Sequence, residues 1–322
     1  MPGILERAGQ TSIQNKLALF EEQLASIRST TTEEEKDVES IGSILLDLYT
    51  QLEQLDNGNS EIAAIPTGFY DLDTILGGGL HRQELVILAG RPSMGKSAAA
   101  HQIAYSIAKQ QNFPTLLFSL EMSKKQVVGR IAAAESAIPA NCFRTGQMGT
   151  AQWQTLAMQM LDMELVPFYI SDYFSNSVLS IGAKIKQAIA QYGQISLVVV
   201  DYLQLMSGGE NEVRELGEIT RRFKILAREC NVPIILLSQL SRGVESRTDK
   251  RPMMSDLRSS GAIEQDADVV IMLYRDEYYN QDSPDRGIAE MIVVKQRNGP
   301  TGTVKLLFDA QYTKFKNLIK RE

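Results

Sequence analysis

From residue 65 onward, short apolar runs alternate with longer segments of helical periodicity. Several of these runs are almost continuously apolar, as at 197–200, which is typical of strands buried on both faces of a parallel sheet. Eight strands are predicted, at 84–89, 115–120, 167–171, 197–200, 233–238, 268–273, 289–295 and 303–308. Because helices are expected between them, the pattern predicts an α/β core with a doubly wound, mostly parallel sheet.

Capping residues and apolar spacing locate three of the helices. One helix is predicted to begin at Lys96, and another at Ser123, where Ser123 and Gln126 form a capping box. The last two strands flank the turn at 298–300, so we expect them to pair antiparallel and to form an edge of the sheet. A third helix carries apolar residues on one face, namely Val178, Ile181, Ile185 and Ile189.

The first part of the chain is more polar and contains two apolar stripes, at 13–27 and 38–55. Spacings of three and four residues within each stripe predict two amphipathic helices with narrow apolar seams. Thr32 and Glu35 form a capping box that should start the second helix. Each seam needs an apolar partner, which is the other helix, the main domain or a neighbouring subunit.

A flexible linker is expected at 57–60, where Asn, Gly and Ser residues interrupt the pattern. We therefore predict two parts, a short helical region at 1–60 and a larger domain at 61–322.

Composition narrows the class of protein. Apolar residues make up 43% and charged residues 22% of the 322-residue chain, as in ordinary soluble globular proteins. No apolar run approaches the ~20 residues of a membrane span. The N-terminus lacks the charged-then-apolar pattern of a signal peptide, so we expect a cytoplasmic protein with no membrane partner. Cys142 and Cys230 lie far apart and predict neither a zinc site nor a disulfide framework.

The net charge of −6 argues against a protein that coats nucleic acid by bulk charge, although a local basic channel remains compatible with it. The stretch at 242–258 is locally basic, with five Arg or Lys residues against three acids. From composition, this stretch is either a solvated loop or a phosphate-binding loop.

Residues 90–97 match the phosphate-binding pattern G-x-x-x-x-G-K-[ST], with a predicted strand before them and a helix after them. Glycines let the backbone wrap around phosphates, and the helix N-terminus presents free N–H groups to the same anion. Lys96 is expected to reach the β- and γ-phosphates of ATP, and the Ser97 hydroxyl to bind Mg²⁺. The predicted cofactor-binding residues of this loop are Gly90, Arg91, Pro92, Ser93, Met94, Gly95, Lys96 and Ser97.

Three polar residues at the ends of other predicted strands complete a candidate ATPase site. Asp201 follows a buried run and is not followed by a helix-like segment, so we expect it to hold Mg²⁺ through water rather than to cap a helix. Glu121 ends a strand expected to lie next to the strand of the phosphate loop; it either polarises water or supports the helix N-terminus at Ser123. Gln239 either senses the γ-phosphate or makes a strand-end hydrogen bond.

Several motifs in the same order resemble the DnaB family of hexameric replicative helicases, a pattern that phage replicative helicases share. The resemblance covers about residues 65–312. It is carried by GRPSMGKS, LLFSLEMS, VVVDYLQLM, SQLSR, KRPMMSDLRSSGAIEQDADVVIMLYRD and VVKQRNGPTGTVKLLFD. It implies a RecA-like P-loop NTPase core, ATP and Mg²⁺ as cofactors, and 5′-to-3′ movement of a ring-shaped homo-hexamer on single-stranded DNA.

The resemblance also implies roles for individual nucleotide-site residues. Glu121 resembles the catalytic glutamate, Gln239 the γ-phosphate sensor, and Arg130 an arginine that packs on the nucleotide base. Lys295 and Arg297 resemble the basic pair that reaches into the neighbouring subunit's ATP site, with Arg297 as the arginine finger.

The segment at 256–261 resembles the pore loop that grips single-stranded DNA. Ser259 stands where the family usually has a glutamate. The predicted DNA-binding residues are Arg258, Ser259, Ser260 and Gly261.

The stripe at 38–55 lies in a segment, 33–55, that resembles the family's linker helix, which docks on the adjacent subunit. Primase and a helicase loader are implied as partners, although family members contact them with the help of a globular N-terminal domain. Two other classes share parts of the pattern. RecA- or RadA-like recombination and repair ATPases share the core, and a non-hydrolysing loader or decoy subunit would lack an intact set of ATPase residues.

Overall fold

The computed structural model describes residues 40–56, 64–172, 177–201, 203–206, 212–257 and 260–318. The chain divides into two compact units, 1–62 and 63–322. The stripe at 13–27, the capping box of Thr32 and Glu35 and the linker at 57–60 lie outside the described residues.

Within the first unit, helix α1 (Ile41–Asp56) covers most of the predicted stripe at 38–55 and confirms a helix there. Its apolar side chains stay exposed: Ile41 at 77%, Leu45 at 56% and Leu52 at 55%. An amphipathic helix gains most of its stability by burying its apolar face, so the exposed apolar face of α1 calls for a partner that covers it.

The second unit is built on one sheet, which contains nine strands in the described residues. They are β1 (Leu85–Gly90), β2 (Thr115–Ser119), β3 (Phe168–Ser171), β4 (Leu197–Asp201), β5 (Ile234–Gln239), β6 (Val269–Tyr274), β7 (Ile288–Gln296), β8 (Gly302–Asp309) and β9 (Lys314–Asn317). Their order in the sheet is β3-β2-β4-β5-β1-β6-β7-β8-β9. The first six strands in this order, which end with β6, run parallel to one another. Strands β7, β8 and β9 each pair antiparallel with the strand before them.

Helices cover both faces of the sheet, as expected for a doubly wound core. Alternate strand residues point to opposite faces, so Val86 and Leu88 pack with α3 and α4, while Leu85 and Ile87 pack with α7, α8 and α9. The helices of this unit are α2 (Tyr70–Ile75), α3 (Lys96–Gln111), α4 (Lys124–Ser136), α5 (Ala140–Thr145), α6 (Thr150–Glu164), α7 (Val178–Tyr192), α8 (Glu212–Glu229) and α9 (Ser260–Asp266). None of the described helices is long and apolar enough to span a membrane.

The eight predicted strands are confirmed to within one residue at each end, and so are the predicted starts of α3 and α4. The Ser123 hydroxyl accepts a hydrogen bond from the Gln126 N–H, as the capping box requires. Ile181 and Ile185 on α7 are buried, in agreement with the predicted apolar face.

The predicted edge was wrong in one respect, because β9 pairs beyond β8 and forms the edge itself. Only Phe315 of its four residues is buried, and Lys314 and Lys316 flank it. A four-residue strand with one apolar position gives too short an alternation to be recognised from sequence.

Candidate nucleotide site

Parallel strands bring the candidate site together, because their carboxyl ends meet at one edge of the sheet. At this edge Gly90 of β1 lies beside Gln239 of β5 and Leu273 of β6. Ser119 of β2 lies beside Asp201 of β4. Open α/β sheets bind their ligands in the crevice outside these carboxyl ends.

The phosphate loop itself turns at Ser93 and Gly95, which have φ of 66° and 94°. Gly95 is the residue before α3, and a Cβ there would lie 3.0 Å from Phe315 Cζ. The left-handed backbone and the close ring both favour glycine at this position. Gly90, by contrast, ends β1 without a positive φ, so the loop does not use its backbone freedom as the sequence predicted.

A cavity of about 650 Å³ opens beside the loop, within the range of small-molecule sites. Nine of the predicted site residues line it, namely Arg91, Pro92, Ser93, Gly95, Lys96, Ser97, Glu121, Arg130 and Gln239. Gly90 and Met94 are not among the lining residues. Met94 is buried in the core, so its side chain supports the loop from below.

Lys96 lies at the N-terminus of α3 within reach of two carboxylates. Burial lowers the pKa of Lys96, and the negative charges of Asp201 and Glu121 partly oppose this effect. An ammonium group held in a buried site beside the N-terminus of a helix is suited to an incoming phosphate.

Asp201 ends β4 and is completely buried. Burial alone would raise the pKa of Asp201, but contacts with His101, Ser97 and Lys96 outweigh it and lower that pKa. Neither carboxylate oxygen completes a hydrogen bond with the described residues. A buried, ionised carboxylate with free lone pairs beside a serine hydroxyl is a donor set that fits Mg²⁺, which prefers oxygen ligands and retains several waters. The structure therefore accommodates the predicted magnesium position between Ser97 and Asp201.

Glu121 reaches the cavity from the loop after β2, where it is exposed. The expectation that β2 lies next to β1 was wrong, since β4 and β5 lie between them. Strand order depends on how the crossovers pack and is not encoded in the order along the chain. The side chain nonetheless faces the same cavity, because the loop extends beyond the strand end.

Gln239 is held through its backbone. Gln204 accepts from the Gln239 N–H at 3.1 Å and donates to its carbonyl at 3.2 Å. This clasp satisfies the backbone of Gln239 and leaves its side-chain amide at the cavity wall, where it makes no hydrogen bond with the described residues. Gln204 was not predicted from the sequence, although it lies in the VVVDYLQLM motif three residues after Asp201.

Arg130 on α4 also lines the cavity. Burial lowers the pKa of Arg130, and the charges of Asp201 and Glu121 partly offset that effect. A half-buried guanidinium stacks readily on a planar ring, so its position suits contact with a base.

Arg91 differs from the other loop residues because partners in the segment after β5 hold its side chain. Its guanidinium donates to the Leu240 carbonyl and to Glu245, each at 2.8 Å. Arg91 therefore offers its backbone to a ligand, while its side chain ties the loop to the segment after β5.

Lys295 and Arg297 lie at the other edge of the sheet, the one at which the parallel strands begin. Strand β7 runs antiparallel to β6, so its carboxyl end lies beside Val269, where β6 begins. Lys295 donates to the carbonyls of Glu264 and Ala267, and Arg297 donates to that of Gln265. Both therefore cap the end of α9, and Arg297 is exposed beside the turn that follows β7.

The predicted DNA-binding segment is only partly described, since Arg258 and Ser259 lie outside the described residues. Ser260 begins α9, and Gly261 is exposed in its first turn. In the basic stretch before them, Arg247 pairs with Asp256 at 2.8 Å and Arg251 pairs with Glu290 at 3.0 Å. These two arginines therefore anchor the stretch to the core, which composition did not indicate.

Two residues near the phosphate loop, Phe308 and Arg275, were not predicted. Phe308 of β8 lines the cavity, and the Arg275 guanidinium stacks 4.0 Å from the centre of that ring. Arg275 also donates to the Ser93 carbonyl at 3.3 Å and pairs with Glu277. The loop after β6 thus braces the phosphate loop, a contact that only the folded sheet brings about.

Comparison with known proteins agrees with this architecture. Residues 64–317 match the DnaB-like helicase C-terminal domain. The chain is 48% identical over 286 residues to the replicative DNA helicase DnaB of Geobacillus stearothermophilus, a match that covers 88% of this chain and 63% of that protein. It is 44% identical over 321 residues to a probable replicative DNA helicase of Trieres chinensis, covering 97% of this chain and 69% of that protein. The chain thus spans a little under two thirds of the length of the first of these relatives.

Solved structures give the same result. A separately solved ATPase domain superimposes with a TM-score of 0.81 at 37% identity, covering 88% of this chain and all of that one. A DnaB-like replicative helicase, described with its interactions with primase, superimposes with a TM-score of 0.80 at 34% identity. That match covers 98% of this chain and 75% of the other.

Proposed function

The chain belongs to the family of DnaB-like helicases, and from this membership we propose that it is the motor of an ATP-driven replicative DNA helicase. One observation carries the proposal. A cavity at one sheet edge gathers a phosphate loop, Glu121, Arg130 and Gln239, while Arg297 lies at the other edge. A site divided in this way is complete only when a second subunit supplies the missing arginine.

We propose that Lys96 binds the β- and γ-phosphates and that Ser97 and Asp201 hold Mg²⁺, whose charge would neutralise that of the phosphates. Arg130 packs on the base. Gln239, clasped through its backbone by Gln204, presents its amide to the γ-phosphate. Lys96, Ser97, Arg130 and Gln239 line one cavity, and Asp201 is buried at the end of β4.

Hydrolysis requires a water molecule to be oriented and to lose a proton. Glu121 is the carboxylate that lines the cavity, and no described group is hydrogen-bonded to it. We assign it as the general base, with Arg297 of a neighbouring subunit stabilising the charge that develops on the phosphoryl group. Binding of ATP draws two subunits together, and hydrolysis releases them.

We propose that the active form is a homo-hexameric ring that moves 5′-to-3′ on single-stranded DNA. Arg247 and Arg251 anchor the segment before Arg258 to the core, so a pore loop there can transmit movement. Primase is a proposed partner because a similar structure is described with it, and a helicase loader is proposed from the family resemblance. A direct test is ATP turnover with and without single-stranded DNA. We expect stimulation, and equal turnover in both would contradict a DNA-driven motor.

The exposed stripe of α1 leads to a prediction about assembly. A protein that starts at Ala64 should keep the fold of the larger unit, because that unit has its own two-sided core. It should shift from rings to smaller species, since the stripe then no longer packs on a neighbour. Light scattering with nucleotide present measures this shift. Undiminished hexamers would restrict α1 to a local role.

For the DNA loop, we expect Arg258→Ala to weaken single-strand affinity equally for oligonucleotides of different sequence. A helicase must pass any sequence, so its contacts should be to phosphate and sugar. Each lost phosphate contact flattens the salt dependence, by a slope of about 0.7 for single strands. Binding titrations at several salt concentrations measure both effects. Unchanged affinity and an unchanged slope would remove Arg258 from the DNA site.

A further inference from the structure

His101 is a buried polar residue with no assigned role. It lies on α3, one turn beyond Ser97, and is 1% exposed. Neither Nδ1 nor Nε2 completes a hydrogen bond with the described residues. Buried polar groups are normally hydrogen-bonded, so an imidazole held in the core in this way calls for an explanation.

The carboxylate of Asp201 is a polar group close to the imidazole of His101. His101 Nε2 lies 3.4 Å from Asp201 Oδ2, at the outer limit of a hydrogen bond. Both oxygens of Asp201 also lack a completed hydrogen bond within the described chain. Positions four apart share one face of a helix, so Ser97 and His101 approach the same carboxylate from consecutive turns of α3.

We propose that His101 is a positioning residue for the magnesium site. Its Nε2–H holds one oxygen of Asp201, which leaves the other oxygen directed at the water shell of the metal beside Ser97. Groups behind a metal ligand orient it in this way, and their loss typically lowers metal affinity about 10–100-fold. The inference rests on the proposed function of Asp201.

The alternative is that His101 only fills space between α3 and β4. Two substitutions separate the alternatives. His101→Leu fills a similar volume without a donor, whereas His101→Gln keeps an N–H that can reach Asp201. Tyr105→Phe is a matched control, because Tyr105 lies one turn further along α3 and is also buried, and its hydroxyl has no hydrogen-bond partner in the described part of the chain.

The experiment measures binding rather than turnover. A non-hydrolysable ATP analogue is titrated into each full-length variant by calorimetry, once in EDTA and once in excess Mg²⁺. The ratio of the two dissociation constants is the gain in affinity that the metal provides. We expect His101→Leu to reduce that gain about 10–100-fold, His101→Gln to restore most of it, and Tyr105→Phe to leave it unchanged. Affinity in EDTA should be the same in all of them.

Failure of the positioning role of His101 can be distinguished from failure of the proposed magnesium site. A gain in His101→Leu equal to that of the unchanged protein overturns the positioning role, and so does a His101→Gln variant as impaired as His101→Leu. Asp201→Asn is measured alongside. If it too leaves the gain unchanged, the proposed magnesium site fails together with the inference; if it reduces the gain and His101→Leu does not, only the inference fails.

Discussion

Arg297→Ala is expected to lower ATP turnover by about 10³–10⁵, the usual contribution of an arginine finger, while nucleotide affinity changes little. The position of Arg297 explains why turnover should fall while nucleotide affinity is kept. Arg297 lies where β7 ends, beside Val269, and the phosphate loop lies at the carboxyl end of β1. At ~3.3 Å per residue, the length of β6 separates these edges by roughly 17 Å. Arg297 therefore does not reach the phosphates bound by its own chain.

Mixing experiments test whether the site is shared between subunits. Arg297→Ala subunits retain an intact phosphate loop, and Lys96→Ala subunits retain an intact arginine. Where these two faces meet, a complete site forms, so the mixture should recover part of the turnover that each variant lacks. Lys305→Ala, on the neighbouring strand β8, is the control and should behave like the unchanged protein. Absence of recovery, once subunit exchange is demonstrated, would contradict a shared site.

Glu121→Gln should bind ATP normally and yet lose turnover by about 10²–10⁴, as expected when a general base is removed. The substitution keeps the shape of the side chain. It also breaks no ion pair, because Glu121 forms none with the described residues. Lys96→Ala should instead weaken both binding and turnover, since the ammonium group attracts the phosphates directly. Nucleotide titration and steady-state turnover on the same preparations distinguish the two patterns.

A matched control is Glu229→Gln, which changes a carboxylate that pairs with Lys186 on the surface. Exposed pairs of this kind contribute little, so turnover should not change. Normal turnover in Glu121→Gln would show that another group activates the water and would remove Glu121 from the chemical step.

The sequence predicted most of the sheet because its strands are buried on both faces and therefore continuously apolar, as in β4. The phosphate loop could also be recognised from the sequence, since its glycine and lysine spacing is a local property of the chain. Residues that act through long-range contacts could not be recognised from the sequence in this way. The side chain of Arg91 donates to Leu240 and Glu245, some 150 positions away, and no local pattern marks those partners.

The order of the strands was also beyond the sequence. Glu121 was expected next to the phosphate loop strand, but it reaches the cavity from a strand separated from that one by β4 and β5. His101 illustrates a different limit. On a helix with an alanine-rich face it resembles an incidental polar residue, and only the fold brings it to Asp201. The roles proposed for Arg297 and for the segment at Arg258 follow from the family resemblance.

Unwinding of a forked duplex is the most direct test of the proposal that this chain is the motor of a replicative DNA helicase. The substrate carries a single-stranded 5′ tail on one strand, and release of the partner strand is followed with ATP and Mg²⁺. We expect strand release that requires the 5′ tail and is lost in Glu121→Gln. Release that requires only a 3′ tail would contradict the proposed direction, and ATP turnover stimulated by DNA without any strand release would contradict a helicase.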